Sequence, residues 1–187
     1  MPDRLTICSK YLSKHLRHTP AALGLTLAPG GWVPVDALLE ACNRRNFRIT
    51  RAELEEVVAR NNKQRFSFDP GGTLIRANQG HSVEVDLQLE PVEPPAVLYH
   101  GTGSQNVAVI QQEGLHRMSR HHVHLSVDMS TALNVGARHG RPVVFEVDAA
   151  GMHQAGYEFY RSANGVWLVK HVPAEWLAVV DEKSVAR

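Results

Sequence analysis

The spacing of hydrophobic positions changes along this 187-residue chain. Near its start, Leu5, Cys8, Leu12 and Leu16 recur three or four residues apart, which predicts a helix with one apolar stripe. The residue before a proline avoids the α region, so this helix should end near Thr19-Pro20, with Arg17 and His18 at its C-terminal end. Ala28-Pro-Gly-Gly31 reads as a turn, and Pro34 is suited to open a second helix, Val35 to Cys42. Thr50 and Glu53 have the spacing of a capping box for a third helix, with Leu54, Val57 and Val58 on its apolar face. The period then drops to two. Arg65 to Phe68 alternates, Asp69-Pro-Gly-Gly72 turns and Thr73 to Arg76 returns, a hairpin pattern. Three helices followed by a hairpin suggest a winged helix, and fit a generic interaction module as well.

Residues 89 to 95 (LEPVEPP) carry three prolines and two glutamates and read as an interdomain joint, since proline disfavours helix and interior strand. The expected lobes are residues 1–92 and 96–187. In the second, Val97 to Tyr99, Val123 to Leu125, Val143 to Val147, Val166 to Val169 and Trp176 to Val180 look like short strands. Ser104 is placed to cap a helix through Ile110, and Thr131 to Val135 has the length of a short one. Many short strands with few helices predict an α+β domain with mixed or antiparallel sheets. No GxxxxGK[ST] and no GxGxxG is present, so a nucleotide has to be held in another way.

Charge narrows the picture. The formal net charge is +1, whereas a protein coated in nucleic acid is usually far more basic; a phosphate-binding surface must be local. Cys8 and Cys42 lie in no CxxC or His/Cys metal spacing and name no site. No apolar run approaches the length of a membrane helix and no signal peptide is visible, so the expected location is the cytoplasm. The sequence leaves the oligomeric state open, and a monomer is compatible with it.

Four basic positions, Arg17, His18, Arg65 and Arg120, stand out, although taken singly the arginines read as solvated or ion-paired surface groups and His18 as a complement to the helix dipole. In the second lobe, His100-Gly101-Thr102 ends a strand, with two hydrogen-bonding side chains and a glycine that permits close backbone approach. Arg120-His-His-Val-His-Leu-Ser126 places His122 and His124 on one strand face, but it lacks a nearby acidic or cysteine ligand and matches no zinc spacing. Asn164-Gly165-Val166-Trp167-Leu168 is a turn entering a strand, where Trp167 suits either a core or a stacking role.

Taken together these strings resemble the RNA 2′-phosphotransferase family, the enzymes of the final step of tRNA splicing and their bacterial relatives. The matching stretches are SKYLSKHLRHTP (Ser9 to Pro20), GGWVPVDALL (Gly30 to Leu39), NKQRFSF (Asn62 to Phe68), IRANQGHS (Ile75 to Ser82), LYHGT (Leu98 to Thr102), MSRHHVHLS (Met118 to Ser126) and NGVWL (Asn164 to Leu168). They follow the family's order and span nearly the whole chain. The resemblance implies a winged-helix RNA-binding lobe joined to an ADP-ribosyltransferase-like lobe that binds NAD⁺. It implies an Arg-His-Arg-Arg catalytic set at Arg17, His18, Arg65 and Arg120, and NAD⁺ contacts from His100, Gly101, Thr102 and Ser126, with Gly165, Val166 and Trp167 as a third motif.

The implied reaction has two steps. An RNA 2′-phosphate attacks the nicotinamide-bearing ribose carbon of NAD⁺, and nicotinamide leaves. The neighbouring ribose hydroxyl then attacks that phosphate, releasing 2′-OH RNA and ADP-ribose 1″,2″-cyclic phosphate. Arginine forks match a phosphate bidentately and stay charged, so no metal is expected. His18 has the right intrinsic pKa range to protonate the departing RNA oxygen. Arg17, His18 and Arg65 fall in the first lobe and Arg120 in the second, so both lobes are expected to serve one phosphate. The main rival is an ADP-ribosyltransferase acting on another nucleic-acid phosphate or on protein. Such enzymes typically activate the acceptor with a glutamate, and none adjoins Gly165-Val-Trp167; Glu158 is the nearest. A second rival is a non-catalytic regulator that senses NAD⁺. The role of IRANQGHS stays open between RNA contact and closing the lobe junction.

Overall fold

The apolar stripe at the start of the chain folds as α1 (Arg4–Arg17) and buries Cys8, Leu12 and Leu16. Asp3 caps it by accepting from the Thr6 N–H, and His18 takes the C-cap position. Structure is described for residues 3–60 and 63–180 of this computed structural model. Asn62, the first residue of the NKQRFSF stretch, lies outside those residues. The chain divides into two units, Met1–Leu89 and Glu90–Arg187.

In the first unit, α1 is followed by 3₁₀ turns at Pro20–Leu23 and Pro29–Gly31, strand β1 (Trp32–Pro34), α2 (Val35–Arg44), α3 (Arg51–Arg60), β2 (Phe66–Phe68) and β3 (Leu74–Ala77). The capping box forms as the spacing demands. The Thr50 N–H donates to Glu53 Oε2 at 2.8 Å and the Glu53 N–H to Thr50 Oγ1 at 3.2 Å. Such a cap contributes about 1 kcal/mol to helix stability. The hairpin pairs Phe66 with Ala77 and Phe68 with Ile75. Its turn is closed by Asp69, whose carboxylate accepts from the N–H groups of Gly71 and Leu74. Trp32 and Val33, to which the sequence pattern gave no element, form a third antiparallel strand against Arg76 and Ile75. The core includes Leu12, Leu16, Leu38, Leu54 and Ile75, with both cysteines buried and unbridged within it. Burial pushes the Cys42 thiol up to about 11 and raises Cys8 too, so both stay protonated at neutral pH.

The second unit is α+β and built from small antiparallel sheets. The expected three-residue strand at Val97 extends over seven residues as β4 (Val97–Gly103), so His100-Gly-Thr102 lies within a strand instead of at its end. It pairs along its whole length with β7 (Pro142–Asp148), and β7 pairs in turn with β11 (Leu177–Val179). A second sheet has the order β6-β9-β8, from Val123–Leu125, Trp167–Val169 and Phe159–Arg161. A two-residue ladder joins β5 (Leu115–His116) to β10 (His171–Val172). Ser104 does not cap the next helix. A 3₁₀ turn at Ser104–Asn106 comes first, and α4 spans Val107–Glu113. The Asn106 side chain donates to Thr102 Oγ1 at 3.1 Å across that turn. The short helix at Thr131 is α5 (Met129–Gly136), capped by Asp128, and α6 (Ala149–Gln154) carries no signal in the sequence reading.

Pro91 in the predicted joint bridges Tyr160, and the Val92 N–H donates to the Phe159 carbonyl. Part of the proline-rich stretch is thus edge pairing on the second unit, where a proline's missing N–H costs least. Among the described residues no helix is long and apolar enough to cross a membrane.

Candidate functional site

In the first unit the end of α1 carries Arg17 half-buried and His18 exposed. Ser9, Ser13 and Arg17 are spaced four apart and share one helix face beside the apolar stripe. Arg65, just before β2, reaches that face and donates from Nη1 to Ser9 Oγ at 3.3 Å. A long side chain on a helix leans back towards its N-terminus, so Arg17 and Arg65 approach the same serine-lined face. The Ser13 hydroxyl on it is buried with no hydrogen-bond partner in the structure.

The 78–82 segment ties these groups together. Asn78 donates its side-chain N–H to the Gln64 carbonyl at 2.6 Å and its backbone N–H to the Arg65 carbonyl at 2.8 Å. The Ser82 N–H donates to the Arg17 carbonyl at 2.9 Å, and Ser82 Oγ shares a 2.9 Å hydrogen bond with His18 Nδ1. Nearby, the Arg76 guanidinium lies 4.5 Å from the centre of the Trp32 ring, a cation–π contact between paired residues of β3 and β1.

In the second unit His124, on β6, is the junction. Its carbonyl accepts from His100 Nδ1 at 3.1 Å, and its ring Nδ1 accepts from Arg120 Nη1 at 3.2 Å. The first bond fixes His100 as the Nδ1–H tautomer and makes Nε2 an acceptor. Burial, more than any neighbouring charge, pushes the His100 pKa below its ordinary value, so the ring is neutral at pH 7. Tyr99 and Ser126 exchange both backbone hydrogen bonds at 2.8 Å, locking the HGT strand to the HLS strand. His122 is held down at about 4 by burial and by the neighbouring His121, and stays neutral.

The chain matches the family described as RNA 2′-phosphotransferase, Tpt1 / KptA family, over residues 3–171. The chain belongs to the RNA 2′-phosphotransferase family. It is therefore a transferase. A Nostoc punctiforme protein named "Probable RNA 2'-phosphotransferase" is 68% identical over 175 residues, covering 94% of this chain and 97% of that one. Relatives with the same name occur in Streptomyces coelicolor, at 55% identity over 94% of this chain and 95% of theirs, and in Pseudomonas syringae pv. tomato, at 52% over 92% of each.

Against that membership, the expected family positions sort by exposure. His100, Ser126, Gly165 and Val166 keep part of their surface accessible. Gly101, Thr102 and Trp167 are buried. A Cβ built on Gly101 would overlap the Ala132 carbonyl, so the close approach this glycine permits is to the backbone of α5. Thr102 is 5% exposed and its hydroxyl is engaged by Asn106. Trp167 is also 5% exposed, and its indole N–H has no hydrogen-bond partner in the structure. Arg161 approaches its ring at 5.9 Å. Gly165 has φ +79°, the left-handed value its turn requires. Glu158 accepts from the Tyr160 hydroxyl at 2.9 Å. No group of three or more His, Cys, Asp or Glu among the described residues could hold a metal ion.

The sequence reading missed Ser9, Ser82 and Asn78 as supports of the basic residues and left His124 without a role. All four lie within the quoted motifs. The partners of Ser9 and Ser82 are distant in sequence, 56 and 64 residues away, and no local pattern reports such pairs, whereas His124 meets Arg120 four residues away.

Proposed function

We propose that this transferase removes an internal 2′-phosphate from RNA by passing it to NAD⁺, with an ADP-ribosylated RNA as intermediate. The supporting observation is the family match over residues 3–171, which contains Arg17, His18, Arg65 and Arg120 together with the HGT, HLS and NGVW segments. In this reading Met1–Leu89 is a winged-helix RNA lobe and Glu90–Arg187 an ADP-ribosyltransferase-like lobe. A cytoplasmic enzyme would meet both substrates.

The chemistry suits the residues. A phosphomonoester carries nearly two negative charges at neutral pH, its second pKa being about 6, and is already a nucleophile. The first step then needs orientation and exclusion of water more than a strong base. The neutral His100, with Nε2 as acceptor, fits a ribose hydroxyl of the NAD⁺ substrate. The second step is a phosphoryl transfer whose charge sits on non-bridging oxygens. Arg17, Arg65 and Arg120 hold those oxygens with fixed charge and fork geometry, and His18 protonates the departing RNA 2′-oxygen.

The test is a short RNA with one internal 2′-phosphate, incubated with the protein with and without NAD⁺. Loss of the phosphate only with NAD⁺, with formation of ADP-ribose 1″,2″-cyclic phosphate, is the expected result. NAD⁺ consumption with the 2′-phosphate left in place would instead assign the chain to ADP-ribosyl transfer onto another acceptor. His18→Ala should let the ADP-ribosylated RNA accumulate; its rapid disappearance would remove His18 from the second step.

A further inference from the structure

Within the Ile75 to Ser82 stretch, the 78–82 segment is tied by hydrogen bonds to the residues around the basic groups of the first unit. Its two ends grip the backbone that carries the basic residues of the first unit: Asn78 holds Gln64 and Arg65, and Ser82 holds Arg17. Between them His81 is 1% exposed and anchors the segment, its ring in van der Waals range of the space beside Gly31. Ser82 is thereby fixed where its side chain meets His18 Nδ1 at 2.9 Å.

We infer that Ser82 is a positioning residue for His18: it holds the imidazole through Nδ1 and so assigns proton delivery to Nε2. This rests on the function proposed above, in which His18 is the acid of the second step. A hydroxyl oxygen is apt for that task because it accepts from a ring N–H while carrying no charge of its own. Against the imidazolium, Ser82 Oγ accepts from Nδ1–H. As ribose O2″ bonds to phosphorus, releasing its hydroxyl proton to solvent, the bond from phosphorus to the RNA 2′-oxygen breaks and Nε2–H passes its proton to that oxygen; the neutral ring keeps Nδ1–H and the same bond to Ser82 persists. For reprotonation from solvent, nothing about Nδ1 has to change. The ring's aim is therefore the same before and after the transfer, and reorientation is no part of the step. A carboxylate in that position would also aim the ring, but its charge would favour the imidazolium and oppose release of the proton. The bond is exposed, so its effect on folding is small, and its value lies in orientation, where a displacement on the order of 1 Å lowers rates by about a hundredfold.

The experiment combines kinetics with histidine ring ¹⁵N–¹H spectra, His18 being assigned by the signal lost in His18→Gln. With 2′-phosphorylated RNA and NAD⁺, Ser82→Ala should slow decay of the ADP-ribosylated RNA by about ten- to a hundredfold. Its formation and the KM for NAD⁺ should be unchanged. Ser82→Thr, which keeps the hydroxyl, should restore most of the rate. The ¹⁵N shifts of the neutral His18 ring should move in Ser82→Ala and return in Ser82→Thr. Unchanged intermediate decay or an unmoved His18 spectrum in Ser82→Ala would overturn the assignment. If the wild-type protein leaves the 2′-phosphate intact, the functional reading fails on that result, while the spectra still decide whether Ser82 holds the His18 ring.

Discussion

The two units hold their candidate groups by different means. In Met1–Leu89 the basic residues sit at a helix end and before a hairpin, and hydroxyl and amide side chains tie them down: Ser9 to Arg65, Ser82 to His18 and Asn78 to the backbone at Gln64. In Glu90–Arg187 the corresponding groups lie on or beside paired strands, and backbone groups do much of the holding: the His124 carbonyl fixes His100, and Tyr99 locks onto Ser126. A side-chain tether can be removed one atom at a time. A strand-borne residue is placed by a ladder that no single side-chain truncation removes. Function in the first unit should therefore be sensitive to second partners, and in the second to anything that disturbs the packing of the strands.

The largest effect should come from the arginines themselves. Arg65→Ala and Arg120→Ala are each expected to reduce turnover of 2′-phosphorylated RNA by about a thousandfold, roughly 4 kcal/mol, the size seen when one charge-stabilising donor is removed. Next in size is Gly101→Ala. Its added methyl would overlap the carbonyl of Ala132, and the unit should lose about 3 kcal/mol, read as a lowered urea midpoint. A midpoint unchanged in Gly101→Ala would show that α5 can move off β4 freely, against the rigid placement argued for the second unit.

The smallest effect concerns stability alone. Glu53→Ala removes one arm of the α3 capping box and should cost about 1 kcal/mol, whereas Glu53→Gln keeps an acceptor for the Thr50 N–H and should cost less. The Thr50 N–H, and after it the Arg4 side chain, lower the Glu53 pKa below its ordinary value. A depressed carboxylate contributes stability that is present above its unfolded pKa and lost as pH falls through the folded one. The Glu53→Gln difference should thus be visible at neutral pH and vanish in acid, and a difference that persisted once the Glu53 carboxyl is protonated in the folded state would contradict the assignment of the effect to the ionised carboxylate.

Local physics made much of this molecule readable in advance. The stripe Leu5-Cys8-Leu12-Leu16, the capping box and the Asp69-Pro-Gly-Gly72 turn each specify their element within a few residues, and each formed where expected. The misses share a cause. Trp32-Val33 is too short to show a period, and it is a strand only because β3 offers it an edge. The sequence reading stopped β4 at Tyr99 because His100-Gly-Thr102 looks polar and glycine-rich, yet full pairing with β7 carries the strand to Gly103. Ser104 has a capping residue's chemistry, but the chain makes a 3₁₀ turn there and α4 begins later.

The candidate site divides along the same line. The sequence alone determined which side chains carry charge, which tripeptides admit close backbone approach, and, through seven motifs in order, the family. Only the tertiary structure decided what holds each one. It made Gly101 a packing requirement of α5, His124 the link between His100 and Arg120, and Ser82 the partner of His18. Residue type and spacing fix chemistry and local conformation because those depend on a few neighbouring bonds. A hydrogen bond between residues 64 positions apart depends on the whole path of the chain between them, and that path is set by the burial of the core.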